Sequence, residues 1–288
     1  MRPEILKHIN AWLGTTEQVV RFSPQSGGDT SSVWWIHTSR QRTLVVKTNG
    51  TVDGQSFESE QEGLQHIAAT DTIRTPSVLT LSTSPNYLVL EGIKTRPPNS
   101  SFWENAGHAL AHLHRAEMGE YYGWNTNNFI GPSPQLNALT TDWSTFWRQY
   151  RLEPQVRWAQ NNGLLESELE TSVKSLMDRT EKWIVNERPC LIHGDLWAGN
   201  LLCSSTDEPV LIDPAVYLGH READLSMTTL FGGFPSRFYH AYQEIWPLEP
   251  GWETRLQFYG LYHWLNHLNA FGKAYHPQCM RTVQSLLR

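Results

Sequence analysis

Residues 190–214 read CLIHGDLWAGNLLCSSTDEPVLIDP, and their polar side chains recur at fixed spacing. Asp195 follows His193 by two positions, Asn200 comes five residues after Asp195, and Asp213 comes thirteen residues after Asn200. Apolar runs at 201–202 and 210–212 flank a polar turn, a pattern that predicts a short β-hairpin. The hairpin would hold Asn200 and Asp213 at its two ends, so that two carboxylates and one carboxamide face one cleft.

This order of side chains fits phosphoryl transfer from a nucleotide. The catalytic loop of kinases has the form H-x-D-x-x-x-x-N and is followed by an Asp at a strand end. One carboxylate accepts the hydroxyl proton of the acceptor, while an amide oxygen and a second carboxylate hold the magnesium ions that bridge the phosphates. We therefore predict that Asp195 is the catalytic base and that Asn200 and Asp213 bind Mg²⁺ beside ATP. His193 is interpreted as a buried, hydrogen-bonded structural residue.

Composition excludes several other classes of protein. The 288 residues are 39% hydrophobic and 18% charged, with a formal net charge of -6 and no run of Lys or Arg, which argues against a nucleic-acid partner. No apolar run is as long as a membrane span, and the N-terminus lacks the apolar segment of a signal peptide. The three cysteines have no metal or redox spacing, so we expect reduced thiols in a cytoplasmic protein.

A small-residue turn lies between two predicted strands near the N-terminus. Gly27, Gly28 and Asp29 precede the apolar run at 33–36, and a turn of this kind lets backbone amides approach a phosphate. We predict that these three residues cover the nucleotide. A plain hairpin connection fits the same local pattern.

Lys47 ends the next apolar strand, at 43–47. In a kinase, a lysine at this place contacts the α- and β-phosphates and is held by a glutamate of the following helix. Glu60 shares one face of the predicted helix 56–67 with its apolar residues and is our choice for that partner. Glu62 lies two residues off this face and is expected in solvent.

Predicted strands at 77–81 and 87–91 complete a small antiparallel sheet. Beyond them, the prolines at 97–98 break the periodicity, so residues 93–98 are predicted to be a hinge. Backbone groups of Glu91, Gly92 and Ile93 are predicted to pair with the adenine edge; a simple linker between lobes is compatible with the same pattern.

The remainder of the chain is predicted to be mainly helical, with helices over 102–114, 143–161, 165–186 and 252–271. The last of these is apolar on most sides, so His263, Asn266 and His267 are each interpreted as core polar groups. The alternative is that together with Trp264 they line the acceptor end of the cleft, and for that role Trp264 and His267 are our choice. The polar-aromatic loop 121–132 is either an acceptor wall or a packed Ω-loop. Asp224 is predicted to anchor the backbone of the catalytic loop.

The strings HGDLWAGN and DPAVYLGHREADLSMTTLFGGF resemble the fructosamine kinase (ketosamine-3-kinase) family, which belongs to the aminoglycoside-phosphotransferase-like branch of the protein-kinase-like superfamily. The resemblance implies an α+β, bilobal protein-kinase-like fold, with a small antiparallel β N-lobe with one main helix (1–92), a hinge (93–98) and a larger, mostly α-helical C-lobe (99–288).

The resemblance also implies an activity. ATP and Mg²⁺ would phosphorylate the 3-hydroxyl of a ketoamine, which makes the adduct labile and so repairs glycated amines or proteins. The sugar stays open among ribulosamine, erythrulosamine and fructosamine, and the amine is either small or a protein lysine. Trp197 is predicted to stack on the sugar or its amine substituent. His220 and Arg221 would either contact the substrate or stabilise the loop.

Some family members carry a cysteine in the nucleotide loop that links dimers under oxidation. This chain has none there, so we predict no such switch and expect a monomer or a weak homodimer. Two alternatives remain: another small-molecule kinase of the aminoglycoside, choline or homoserine type, and a catalytically inactive nucleotide-binding scaffold.

Overall fold

The N-terminal part of the chain forms an antiparallel sheet with a helix on each face. A computed structural model of the protein describes residues 1–25, 31–48, 55–116 and 119–288. The N-terminal elements are α1 (Pro3–Leu13), β1 (Val19–Gln25), β2 (Ser32–Thr38), β3 (Thr43–Thr48), α2 (Gln55–Ala69), β4 (Val78–Thr83) and β5 (Asn86–Glu91). The five strands pair in the order β1-β2-β3-β5-β4, all antiparallel.

The alternation of side chains across the strands determines which helix each residue meets. In β5, Tyr87 and Val89 pack in the same cluster as residues of α1, whereas Leu88 and Leu90 pack in the cluster that contains residues of α2. In β3, Val45 belongs to the α2 side. Lys47, two residues further on and in register with Leu88, therefore points towards α2 as well.

The C-terminal part is mostly helical, with short paired strands among the helices. Its helices are α3 (Ser100–Arg115), α4 (Trp143–Phe146), α5 (Glu153–Asn161), α6 (Ser167–Met177), α7 (Arg221–Met227), α8 (Ser236–Ile245), α9 (Trp252–Phe271) and α10 (His276–Leu287). Its strands are β6 (Asn128–Ile130), β7 (Ser133–Gln135), β8 (Cys190–Ile192), β9 (Leu201–Cys203), β10 (Pro209–Leu211) and β11 (Tyr217–Gly219). They form the antiparallel pairs β6–β7, β9–β10 and β8–β11.

One of the predicted helices is shorter than expected, and another contains an irregular turn. The segment 143–161 is helical throughout, as predicted, with a π-helical turn at Trp147–Leu152 between α4 and α5. This turn places the fully buried Arg151 with its guanidinium 3.9 Å from the centre of the Tyr217 ring, a tertiary contact that the apolar periodicity does not encode. The segment 165–186 is helical only in α6 and in a 3₁₀ turn at Thr180–Trp183.

The helix predicted at 252–271 has the bounds of α9, and it is buried as its apolar character indicates. Its side chains form the C-terminal core together with α4, α5, α6 and α10, through residues such as Phe258, Tyr262 and Leu265. A second cluster joins α3 to α8 and to the β9–β10 hairpin. His263 and Asn266 are both buried in this core, which confirms their interpretation as interior polar groups.

The segment after β5 runs along the β9–β10 hairpin. The Arg96 amide donates to the Cys203 carbonyl at 3.0 Å, and the Ser205 amide donates to the Lys94 carbonyl at 2.7 Å. The fold is thus the predicted α+β, bilobal kinase-like fold, with a β N-lobe and a helical C-lobe. Within the described ranges, no helix is both long and apolar enough to cross a membrane.

Candidate active site

The predicted catalytic loop leaves β8 and returns through the β9–β10 hairpin, and a buried carboxylate holds its start. Asp224, in the first turn of α7, accepts the backbone N–H groups of His193 and Gly194 at 2.8 and 2.9 Å. Its Oδ2 is also 3.1 Å from His114 Nε2. Burial alone would raise the pKa of Asp224, but these hydrogen bonds outweigh it and lower that pKa. The predicted anchoring role of Asp224 is confirmed.

Gly194 is required by the turn that precedes Asp195. Its φ of +82° lies in the left-handed region, and a Cβ there would be 2.1 Å from the Ala215 carbonyl oxygen. Any other residue would push apart the loop and the segment after Asp213.

His193 is a structural residue, as predicted. It is fully buried, with Nε2 2.8 Å from the Ile212 carbonyl and Nδ1 accepting the Asp195 amide at 3.2 Å. Burial lowers the pKa of this imidazole, so the neutral form with a proton on Nε2 satisfies both bonds. His193 thereby ties the residue before Asp213 to the loop that carries Asp195.

Asp195 lies half-buried beside Asn200. The Asn200 Nδ2 group donates to the Asp195 carbonyl at 2.8 Å and to Asp195 Oδ2 at 3.2 Å, which fixes both side chains in one loop. Burial and the negative charge of Asp213 together raise the pKa of Asp195 to about 7. A carboxylate with a pKa in this range is suited to accept a proton near neutral pH.

Asp213 follows β10 and meets Lys47 across the cleft. It has a left-handed φ of +55°, a conformation that Asp tolerates better than most residues. Lys47 Nζ bonds to Asp213 Oδ1 and donates to Glu60 Oε1 at 2.6 Å. Burial alone would lower the pKa of Lys47, but the two carboxylates outweigh it and raise that pKa, so Lys47 is a cation.

The donor set suits a hard cation bound together with phosphates. Asp213 and Glu60 both contact the Lys47 ammonium, and the negative charge of Asp213 also acts on Asp195, so among the described residues these carboxyl groups outnumber the cation beside them. Among the described residues, no group of three or more His, Cys, Asp or Glu side chains could hold a metal alone. Mg²⁺ sites in phosphotransferases need only one or two carboxylates, with waters and phosphate oxygens completing the shell. Asn200 and Asp213 fit that description.

Helix α2 is fixed against the C-lobe by contacts that sequence reasoning missed. A Cβ at Gly63 would lie 2.9 Å from Pro214 Cγ, so the helix packs directly on the residue after Asp213. Glu62 was expected in solvent, and that expectation is wrong: its Oε1 accepts the Trp124 Nε1–H at 3.1 Å. Glu60 faces Lys47 because these contacts determine where the helix lies.

Enlarging Gly63 tests this packing. We expect Gly63→Ala to displace α2, to lower kcat/KM for ATP about tenfold, and to lower the free energy of unfolding by about 1–3 kcal/mol, as overpacking usually does. Gly260→Ala is the matched control, because it is also a helical glycine but its Cβ would meet nothing closer than 3.6 Å. Steady-state kinetics and urea unfolding of both variants measure the effect. Equal behaviour of the two proteins would contradict the packing argument.

The residues predicted to contact the nucleotide lie only partly within the described part of the chain. Gly27, Gly28 and Asp29 lie outside the described residues. At the hinge, the Glu91 amide donates to the Ser77 carbonyl at 2.9 Å and the Gly92 amide to the Thr43 carbonyl at 3.0 Å. These two amides therefore bond within the fold, and the predicted pairing of Glu91 and Gly92 with the adenine edge would have to use other backbone groups of these residues.

The Glu91 side chain also bonds within the fold, because its carboxylate pairs with Arg74 Nη2 at 2.5 Å. Of the three hinge amides, the Ile93 N–H is the one for which the described part of the chain supplies no partner. Among these three amides, that of Ile93 is therefore the candidate donor to adenine.

On the acceptor side, three predicted residues lie in one aromatic surface. Trp197 is exposed on the catalytic loop, and Trp264 and His267 are partly exposed on α9. Phe231 connects them, with its ring centre 6.3 Å from that of Trp197 and 4.7 Å from that of His267. Sequence analysis did not single out Phe231, although its position before a Gly-Gly pair is a detectable signal for a turn that displays a side chain.

His220 and Arg221 do not reach this surface, and the alternative that they contact substrate is wrong. Each is 1% exposed. The His220 ring stacks on Trp143 at 4.8 Å, with its Nδ1 3.3 Å from the Tyr259 hydroxyl. Arg221 donates from Nη2 to Glu187 at 2.7 Å and to the Pro247 carbonyl at 2.8 Å. Both side chains stabilise the interior around α7.

The buried histidines make the fold sensitive to acid. Burial lowers the pKa of His220 and of His263 to about 3, whereas unfolding exposes both to water. Between about pH 6.5 and pH 3 the unfolded chain binds the extra protons, so the free energy of unfolding falls as the pH falls, by up to about 1.4 kcal/mol per pH unit for each histidine.

Urea unfolding of His220→Gln at pH 7.5 and 5.5 measures this dependence. We expect a smaller loss of stability on acidification than in the unaltered protein. An unchanged pH slope would show that His220 does not contribute to it.

The loop 121–132 is packed only in part: Tyr122, Gly123, Asn128 and Ile130 are buried, whereas Tyr121, residues 125–127 and residues 131–132 are exposed. Tyr122 is buried, and its amide donates to the Thr140 carbonyl at 2.8 Å. Asn128 is buried as well and donates from Nδ2 to the Val216 carbonyl at 2.7 Å. Because these polar groups bond within the protein, Tyr122 and Asn128 do not support the alternative of an acceptor wall.

Comparison with known proteins agrees with this geometry. The profile of the fructosamine kinase family matches residues 1–288. The chain is 39% identical, over 99% of its length and 96% of the relative's, to a Synechocystis protein assigned as a ketoamine kinase. It is 34% identical, over 97% of its length and 83% of the relative's, to a chloroplastic protein-ribulosamine 3-kinase of Oryza sativa subsp. japonica.

A solved structure of a similar protein has the same fold. A Thermobifida fusca protein assigned to the fructosamine-3-kinases superposes with a TM-score of 0.90 at 30% identity, and the alignment covers 100% of both chains. A family profile that spans every residue, together with this shared fold, leads to one conclusion: the chain belongs to the fructosamine kinase family.

Proposed function

We propose that the protein transfers a phosphoryl group from ATP to the 3-hydroxyl of a ketoamine, a deglycation repair reaction. The observation that carries the proposal is the meeting of Asp195, Asn200 and Asp213 with the Lys47–Glu60 pair in one cleft, in a chain of the fructosamine kinase family. The same constellation supports ATP with Mg²⁺ as the phosphoryl donor, because it provides a base, a metal-binding pair and a cation for the phosphates.

Each residue has a role that follows from its contacts. Asp195, with a pKa raised into the neutral range, accepts the proton of the attacking hydroxyl. Asn200 and Asp213 would hold Mg²⁺, which supplies positive charge to the phosphates when it is bound. The Lys47 ammonium, bonded to Glu60 and Asp213, would supply positive charge to the α- and β-phosphates.

On the acceptor side, Trp197 would stack on the sugar. It stands two residues after Asp195, and its exposed ring offers an aromatic face beside the base. Such a face suits the C–H groups of a sugar, which orients the hydroxyl towards Asp195. Positioning and charge neutralisation together would supply most of the rate enhancement.

The test is ATP consumption by the purified protein with Mg²⁺ and a panel of acceptors. The panel contains a ribulosamine, an erythrulosamine, a fructosamine, choline, homoserine and an aminoglycoside. Turnover of a ketoamine, with loss of sugar from the product on standing, is expected. Turnover of another acceptor alone would keep the ATP site and overturn the repair function, and ATP binding without any turnover would favour an inactive scaffold.

A further inference from the structure

Asp213 has a backbone conformation that its neighbours must hold. Its φ of +55° lies in the left-handed region, and a residue with a side chain keeps such a conformation only where the surrounding structure fixes it. On the preceding side, the Ile212 carbonyl is 2.8 Å from His193 Nε2, and the Ile212 amide donates to the Asn200 carbonyl at 3.1 Å. The catalytic loop therefore fixes the chain up to Asp213.

The chain after Asp213 is held by a distant part of the protein. The second and third residues after it turn their carbonyl groups to two side chains of the β6–β7 hairpin. Gln135 Nε2 donates to the Ala215 carbonyl at 3.0 Å. Asn128 Nδ2 donates to the Val216 carbonyl at 2.7 Å. These bonds join residues that are 80 and 88 positions apart, so no local pattern predicts them.

Gln135 is the centre of this contact, because both N–H donors and the oxygen of its amide are bonded. The side chain is 1% exposed, and Nε2 also donates to Asn128 Oδ1 at 2.8 Å. Its Oε1 accepts the Tyr262 hydroxyl of α9 at 3.0 Å. Asn128 lies directly opposite Gln135 in the register of β6 and β7, which brings the two amides together. A buried amide that is bonded on all sides has one orientation and can hold its partner in a fixed place.

The hairpin that carries Gln135 is itself anchored in the core. The buried Arg151 donates from Nη1 to the Leu136 carbonyl at 2.6 Å and from Nη2 to Asn137 Oδ1 at 2.9 Å. These two partners are the residues that directly follow Gln135. Arg151 belongs to the π-helical turn, an irregularity that is frequent at functional sites. Here the turn supplies the guanidinium that holds the end of β7.

We propose that Gln135 is a positioning residue for phosphoryl transfer, which keeps Asp213 in the geometry that binds the metal ion. The inference rests on the proposed function in one respect, namely that Asp213 binds Mg²⁺ beside the nucleotide. Gln135 acts through the Ala215 peptide, whose carbonyl accepts from Gln135 and whose amide donates to the His193 carbonyl at 2.8 Å. Without Gln135, the segment that leads from Asp213 back to the catalytic loop loses its outer support.

A purely structural role is the competing explanation. A buried glutamine with three hydrogen bonds stabilises any fold, and its loss would then lower the free energy of unfolding without a change in metal affinity. The two roles therefore differ in one measurable quantity, which is the affinity of the nucleotide-loaded protein for a divalent cation.

The experiment measures metal binding separately from turnover. Mn²⁺, which prefers the same oxygen ligands as Mg²⁺, is titrated into the protein saturated with a non-hydrolysable ATP analogue, and free Mn²⁺ is followed by electron paramagnetic resonance. Gln135→Met keeps the length of the side chain and removes its hydrogen bonds. We expect it to raise the Kd for Mn²⁺ about fivefold to tenfold, the loss expected for one buried hydrogen bond. The Mg²⁺ concentration for half-maximal activity should rise by a similar factor.

Gln155→Met is the matched control. Gln155 is also 1% exposed, and its Oε1 accepts Asn269 Nδ2 of α9 at 2.7 Å, so it is another buried glutamine that bonds to this helix. We expect a comparable decrease in the free energy of unfolding in urea. The Kd for Mn²⁺ should stay within about 1.5-fold of that of the unaltered protein.

Tyr262→Phe shows whether Tyr262 acts through Gln135. The substitution removes one hydroxyl and leaves both N–H donors of Gln135 in place, so we expect the Kd for Mn²⁺ to rise only about threefold. In the double variant with Gln135→Met, the loss of the hydroxyl should add nothing further to the Kd. Because Tyr262→Phe is a small change, it tests the inference even if Gln135→Met fails to fold.

Each outcome decides a separate point. An unchanged Kd for Mn²⁺ in Gln135→Met and Tyr262→Phe would assign Gln135 to stability alone and overturn the inference, and so would an equal rise in Gln155→Met. If the metal affinities shifted as expected but no ketoamine were turned over, the inference would stand and the proposed acceptor would fall. If the unaltered protein bound no Mn²⁺ with the ATP analogue, the metal-binding role of Asp213 and the inference would fall together.

Discussion

The Asp195→Asn protein is expected to lose at least about a thousandfold in kcat, within the range attributed to general base catalysis, and to bind ATP as tightly as the unaltered protein. The amide has nearly the shape of the carboxylate and can still bond to Asn200, but it cannot accept the proton of the attacking hydroxyl. Because Asp195 accepts no bond from Lys47, the nucleotide side of the cleft should be undisturbed.

Rapid-quench measurement of phosphoryl transfer and calorimetric titration with ATP separate the two properties. Asp178→Asn is a suitable control, because Asp178 is an exposed carboxylate that pairs only loosely with Arg148 at 3.6 Å. Unchanged transfer in Asp195→Asn would mean that another group is the base. A parallel loss of ATP affinity would mean that the substitution disturbs the loop as a whole.

The second large effect is expected for Asp213→Asn. Removing this charge takes away a predicted Mg²⁺ ligand and one of the two carboxylates that hold Lys47, so we expect kcat/KM for ATP to fall about a thousandfold or more. The concentration of Mg²⁺ required for half-maximal activity should rise as well. That shift distinguishes the loss of a metal ligand from general damage.

Asp207→Asn is the matched control for this experiment. Asp207 lies on the same β9–β10 hairpin, and its carboxylate pairs with Arg96 at 3.0 Å. Such a partly exposed pair contributes little, so we expect activity and Mg²⁺ dependence within about twofold of the unaltered protein. If Asp207→Asn behaved like Asp213→Asn, the hairpin as a whole, and not the metal ligand, would be the sensitive element.

The chemistry of the cleft was readable from the chain because its residues are close in sequence. His193, Asp195 and Asn200 lie within eight positions, and the apolar pairs beside them predict the hairpin that presents Asp213. Part of the hydrogen bonding is local too, since His193 Nδ1 accepts the Asp195 amide and Asn200 Nδ2 donates to the Asp195 carbonyl. The resemblance to the family rests on the same stretch and is confirmed over the full chain.

The pairing of Lys47 with Glu60 was predictable for a different reason. Successive residues of a strand point to opposite faces, whereas helix residues three or four apart share a face, so the apolar neighbours of each side chain indicate where it points. That argument chose Glu60 correctly as the contact of Lys47. It failed for Glu62, because its partner, Trp124, comes from a loop 62 residues further along the chain.

By itself, then, the sequence determined the fold class and the family, and it predicted the catalytic loop and the residues of the cleft, all from periodicity and short spacing. Only the tertiary structure decided that His220 and Arg221 are interior residues, that the Glu91 and Gly92 amides are used by the fold, and that Phe231 joins Trp197 to α9. In each of these cases the partner is distant in sequence. Burial and pairing of that kind depend on how whole elements pack, which local patterns do not encode.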